Sequence, residues 1–159
     1  MLKTVETVDD VVEFFRWLSE QSIVAFDTET SGTDTFAYGF RVRLIQFGNA
    51  REAWVLDFNR WRGVVEEVFK KFRGKWLAHN SNYDIHALHR EGIEVPWRQV
   101  HDTMIALRLS QPNMQAGLKP ASDRLIGPGA SGSQQDLHEA FRKNDWDWDS
   151  VPIDFPTYI

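Results

Sequence analysis

Val8, Val11, Val12, Phe15 and Leu18 recur at helical spacing, and Thr7 stands ahead of Asp9 and Asp10 as an N-cap ahead of first-turn acids. The pattern predicts an amphipathic helix over residues 8–18. The run SIVAFDTET then turns from β-branched and apolar to polar within a few residues, as a doubly covered strand does where its carboxyl end meets solvent; Asp27 falls at that end. Thr30–Arg41 is rich in Thr, Ser, Gly and aromatics and reads as a loop. Beyond it Val42, Leu44, Gln46 and Ala53, Trp54, Val55, Leu56 form two runs separated by Gly48-Asn49, a hairpin pattern.

Val64, Val65, Val68, Phe69 and Phe72 predict a second helix, stopped by Gly74. Trp76-Leu77-Ala78 reads as a short interior strand that ends at His79-Asn80, and Ser81 is the expected cap of a helix carrying Ile85, Leu88 and His89. Asp102 is expected to cap a further helix, with shorter ones over 118–125 and after Gln134. The order strand, hairpin, helix, strand, helix, helix implies an α/β layer fold with a mixed sheet flanked by helices. In such sheets binding sites gather beyond the carboxyl ends of strands, which is where both polar clusters fall.

At 159 residues the chain has the usual length of one domain, and 42% hydrophobic with 26% charged residues is an ordinary globular balance. The chain has no cysteine, which excludes disulfide staples, a thiol nucleophile and Cys-ligated metal chemistry while leaving carboxylate and histidine sites open. The apolar runs are too short to span a bilayer and the start, MLKTVETVDD, lacks a signal-peptide core, so a cytoplasmic address and no membrane partner are expected. The net charge of −5 gives no general attraction for polyanions, but an acidic site that recruits divalent cations reverses its local sign. Asp136, Glu139, Asp145, Asp147, Asp149 and Asp154, set against Arg142 and Lys143, make the tail the most acidic part.

Asp27 and Glu29 stand two residues apart, so in extended backbone their side chains share a side of the strand. Like charges that close are costly unless a proton or a cation intervenes, and hard Mg²⁺ or Mn²⁺ suits such oxygen donors. Asp84 lies one helical turn past the second strand's end and leans toward the same space if the two strands are neighbours; alone, it reads equally well as a favourable first-turn acid. Carboxylates around a pair of cations suit in-line attack on a phosphodiester. Other candidates read as structural: Asp57 as a turn residue, Asp102 as a cap, His86 and His89 as helix-surface histidines, and the Arg60–Lys75 basic cluster as a solvated face.

FDTET (26–30) and NSNYD (80–84) resemble the first and second motifs of the DEDD 3′–5′ exonucleases, above all the proofreading domain of family A DNA polymerases; GLKPASDRLIG with VPIDFPTYI resembles phage-encoded members. The resemblance implies a ribonuclease H-like fold over 1–159 as a single exonuclease-like domain and action on the 3′ end of single-stranded DNA. It further implies two Mg²⁺ or Mn²⁺ ions held by Asp27, Glu29 and Asp84, with Asp27 bridging both metals, Glu29 approaching the terminal 3′-hydroxyl and Asp84 supporting the second metal. His79 and Asn80 then contact the terminal nucleotide. An RNA exonuclease of ribonuclease D type and a non-catalytic single-strand binding scaffold remain as alternatives. The family's third motif, Tyr-x-x-x-Asp, does not occur, because Tyr158 is followed only by Ile159. The expectation is therefore an N-terminal piece of a longer polymerase chain, weak or inactive for want of a fourth carboxylate, acting in a bacterial host's cytoplasm if phage-encoded.

Overall fold

The structure, a computed structural model, describes residues 1–130 and 134–152, with the side chains of 134–138 outside that description. Two compact units form, residues 1–101 and residues 102–159. The first contains β1 (Leu2–Val5), α1 (Val8–Ser19), β2 (Ile23–Thr30), β3 (Val42–Gly48), β4 (Ala53–Asp57), α2 (Phe58–Lys71), β5 (Lys75–Ala78) and α3 (Ser81–Arg90), and β6 (Val100–Asp102) closes it. The strands form one mixed sheet in the order β1-β4-β3-β2-β5-β6. β2, β3 and β4 run antiparallel in sequence, while β1 joins β4 and β5 joins β2 in parallel. This is the mixed, helix-flanked sheet that the pattern implied.

β2 alternates, with Val24, Phe26, Thr28 and Thr30 buried and Ile23, Ala25 and Asp27 exposed. It is not the doubly covered strand expected from its composition, and it continues through the polar DTET residues because β3 pairs with it as far as Thr30. Phe26 and Phe69 meet at 5.5 Å between ring centroids, Phe69 and Trp76 at 5.0 Å, Phe14 and Phe47 at 5.6 Å, and Phe14 and Trp54 at 5.5 Å. This aromatic layer, clamped under α1 and α2, is the main core; each such ring contributes roughly 1.5–3 kcal/mol by leaving water. Asp27 and Glu29, at alternate positions, belong to the opposite face.

The face of α1 differs from the expectation. Phe14, Trp17 and Leu18 are its buried residues, whereas Val8 and Val12 are exposed. Periodicity located the helix; the larger rings decided which side turned inward. Thr7 is the N-cap, in a reciprocal capping box with Asp10. Asp57 also proves to be a helix N-cap, accepting from the Arg60 N–H at 3.0 Å. β1 was not anticipated: four residues with one buried side chain carry too little pattern, and the strand forms only because β4 offers a parallel edge. On α2, Lys70 and Lys71 pair with Glu66 and Glu67 one turn away, as befits a solvated face.

The second unit holds α4 (Thr103–Ser110), α5 (Leu118–Leu125) and α6 (Gln134–Asn144). Asp102 caps α4, accepting from the N–H groups of Met104 and Ile105. After α6, Trp148 packs edge-on against Phe141 at 5.0 Å, and Val151 is buried. Tyr158 and most of the VPIDFPTYI segment lie outside the described residues. Among those described, no helix is long and apolar enough to cross a membrane.

Candidate active site

The parallel pairing of β2 with β5 covers only Ile23–Ala25, because β5 ends at Ala78 and the chain turns into α3. The upper half of β2 is thereby left without a strand on that edge. Asp84, in the first turn of α3, takes its place: its Oδ1 accepts from the Thr28 backbone N–H at 3.0 Å and from the Thr28 hydroxyl at 2.6 Å. A buried carboxylate thus satisfies a backbone donor that a longer β5 would have paired. Thr28 separates Asp27 from Glu29 in the strand, so this anchor sets Asp84 beside both acids.

The electrostatics of the three are coupled. Burial, then the charge of Asp27 and that of Asp84, push Glu29 up to about 8, against a smaller pull from the Gln46 side chain. Burial and Asp27 push Asp84 up to about 7, although both Thr28 hydrogen bonds oppose them. Asp27 is raised as well, chiefly by the surrounding protein, while the Thr28 backbone and nearby His79 draw it down. Asp27 keeps a solvent-exposed edge even so. The register slips between Glu29 and Thr30, where β3 carries one extra residue, Arg43. Such bulges re-aim side chains at strand ends.

Asp27, Glu29, Asp84 and His79 therefore come together, all at the carboxyl ends of β2 and β5. Asn80 stands beside them, with a backbone unlike that expected. Ser81 does not cap α3 but is its first residue; Asn80 occupies the N-cap position in the left-handed region at φ 63°, ψ 44°, without a side-chain capping bond. Left-handed backbone costs most residues roughly 1–2 kcal/mol, less for Asn and nothing comparable for Gly. We expect Asn80→Ala to lower unfolding free energy by about 1 kcal/mol and Asn80→Gly to stay near the parent, measured by urea denaturation.

Two residues of the cluster were not singled out by sequence. Thr28 sits between the two acids and points to the buried face; its signal was the alternation itself. Gln46 lies directly opposite Asp27 on β3, and its signal was a lone amide within the apolar run Leu44-Ile45-Gln46-Phe47. Three oxygen donors whose ionisation burial and mutual repulsion oppose are chemically suited to a hard divalent cation. Their spacing is that of electrostatic neighbours: among the described residues no group of three or more His, Asp or Glu side chains is arranged to hold a metal ion.

Comparison with known proteins places this geometry in context. Residues 2–147 match the family model described as 3′–5′ exonuclease, of DNA polymerase A type. The chain is 35% identical over 113 residues to the DNA polymerase of Mycobacterium phage D29, covering 67% of this chain and 18% of that protein. It is 32% identical over 117 residues to the DNA polymerase of Mycobacterium phage L5, covering 70% and 20%. It thus spans about a fifth of the length of the curated relatives it matches. Its fold is shared with the catalytic core of RRP6 from Trypanosoma brucei (TM-score 0.71, 21% identity, 99% of this chain and 41% of that one) and with Escherichia coli RNase D, an exoribonuclease involved in structured RNA processing (0.72, 16%, 99% and 39%). Brucella melitensis NrnC, solved with bound Mg²⁺, shares it at TM-score 0.63 and 19% identity over 99% of this chain and 69% of that one.

Proposed function

Because the chain belongs to the 3′–5′ exonuclease domain family of family A DNA polymerases, we propose that it hydrolyses the terminal phosphodiester at the 3′ end of single-stranded DNA. The observation that carries this reading is the Thr28–Asp84 anchor, which sets an acid from α3 beside two acids of β2 that lie more than fifty residues away in sequence. Asp27, Glu29 and Asp84 are the residues that would hold divalent ions, their carboxylates drawing together around the cations. Mg²⁺ or Mn²⁺, when bound, supplies a water of lowered pKa and neutralises charge on the leaving oxygen.

The chain's own residues do the rest. Thr28 fixes the orientation of the Asp84 carboxylate through two hydrogen bonds, so that it does not have to be ordered when substrate arrives. Glu29 would approach the terminal 3′-hydroxyl as a charged carboxylate, since a cation beside it reverses the repulsion that raises it in the metal-free chain. His79 and Asn80, which lead from β5 into α3, contact the terminal nucleotide. A polymerase region is the proposed partner, since the phage relatives are polymerases of which the matched segment is about a fifth, and the bacterial host's cytoplasm is the proposed compartment.

The test uses 5′-labelled DNA and RNA oligonucleotides of one sequence, incubated with the 159-residue chain and Mn²⁺. A ladder shortening from the 3′ end, faster on DNA, is expected. Faster RNA shortening would replace this reading with the ribonuclease D-like one, and binding without any shortening would leave only the scaffold.

A further inference from the structure

Gln46 is a mid-strand polar residue on β3 whose side-chain nitrogen is buried. Its Cα partner across the ladder is Asp27, and Leu44, two residues earlier, faces Glu29. The three side chains thus share one face, with Gln46 directly opposite one acid and diagonal to the other, a separation that long side chains span. Its flanks Ile45 and Phe47 are fully buried on the other face, and Leu44 and Val55, its neighbours on the acid face, are fully buried too. Apolar side chains thus flank the amide along β3 and across on β4.

Nε2 of Gln46 is shut off from solvent and makes no hydrogen bond. A buried donor left in that state costs roughly 1–3 kcal/mol, so the position is unfavourable for the fold taken alone. The amide nevertheless stands close enough to Glu29 to favour its charged form. A buried amide donor with no other partner, on the face that carries two carboxylates, is placed to donate to one of them.

We propose that Gln46 is a positioning residue of this site, donating from Nε2 to the Glu29 carboxylate and fixing which of its oxygens faces the divalent ion. The inference rests on the exonuclease reading above and adds a residue to it. It makes Gln46 the β3 counterpart of Thr28: one donor steadies Asp84 from within β2, the other steadies Glu29 from the neighbouring strand.

Gln46→Met keeps length and shape and removes the donor. The full chain should then melt at the same temperature as the parent or slightly higher, while Mn²⁺ affinity, titrated directly, falls roughly 10–100-fold, the range typical of partners that orient metal ligands. In single-turnover digestion of a DNA oligonucleotide, kcat should fall comparably with KM little changed. Gln46→Glu, which sets a like charge there, should lose Mn²⁺ binding further. A Gln46→Met protein with Mn²⁺ affinity and kcat within about twofold of an active parent would overturn this inference alone. A parent chain that neither binds Mn²⁺ nor shortens any oligonucleotide would overturn the exonuclease reading together with it.

Discussion

Asp84→Asn should leave the chain at least as stable as the parent at pH 8 while its exonucleolytic turnover falls at least roughly 100-fold. The two effects have one cause. Asp84 is 3% exposed and pushed up to about 7, so at pH 8 the fold holds a charge that both burial and Asp27 oppose. An asparagine of the same shape can still accept the Thr28 hydrogen bonds through Oδ1, and its amide nitrogen faces acids able to accept from it. What it loses is the negative charge that holds a cation, and removal of one electrostatic stabiliser typically costs 10²–10³-fold in rate. Thermal melting and single-turnover digestion on the same preparation check both halves. A destabilised variant that retained turnover would show Asp84 to be a structural acid.

The second expectation concerns pH. Glu29 and Asp84 titrate near 8 and 7 in the folded chain, against about 4 in an unfolded one, and Asp27 is shifted the same way. Between those limits the folded state binds more protons than the unfolded state, so stability falls as pH rises. The contribution is fully present below about pH 4 and is lost as pH passes through 7 to 8. Its size for the cluster as a whole is on the order of a few kcal/mol. With chelator present, the melting temperature should therefore decline from pH 5 to pH 8.5. Millimolar Mn²⁺ should restore much of the loss at the alkaline end, since a ligand at 100 times its Kd adds about 2.7 kcal/mol. A Gln46-independent control is Asp27→Asn, which should flatten the pH dependence and abolish the cation effect. A parent chain whose melting temperature is flat over this range and indifferent to Mn²⁺ would remove the physical basis for a cation site.

Much of the fold was legible along the chain because it depends on local pattern. The capping box at Thr7 and Asp10, the caps at Asp102 and the apolar repeats of α2, α3 and α5 are decided within a few residues. The hairpin was legible too, with the Asn49 side chain accepting from the N–H groups of Arg51 and Glu52 to close its turn. Where reading failed, the deciding contact was remote. Val8 and Val12 point outward because Phe14 and Trp17 have larger partners in Phe47 and Trp54. Ser81 yielded the cap position because the turn out of β5 requires left-handed backbone, which Asn80 tolerates better.

The candidate site divides in the same way. The sequence determined that Asp27 and Glu29 share a face, since a strand alternates whatever surrounds it, and the two motifs marked Asp84 as their companion. Only the tertiary structure decided that β5 stops early enough for Asp84 to take a hydrogen-bonding place on β2, and that Gln46 comes level with Asp27 across the ladder. Both depend on register between segments far apart in the chain. A periodic pattern states which side a residue faces; it carries no information about which residue of another strand will stand opposite.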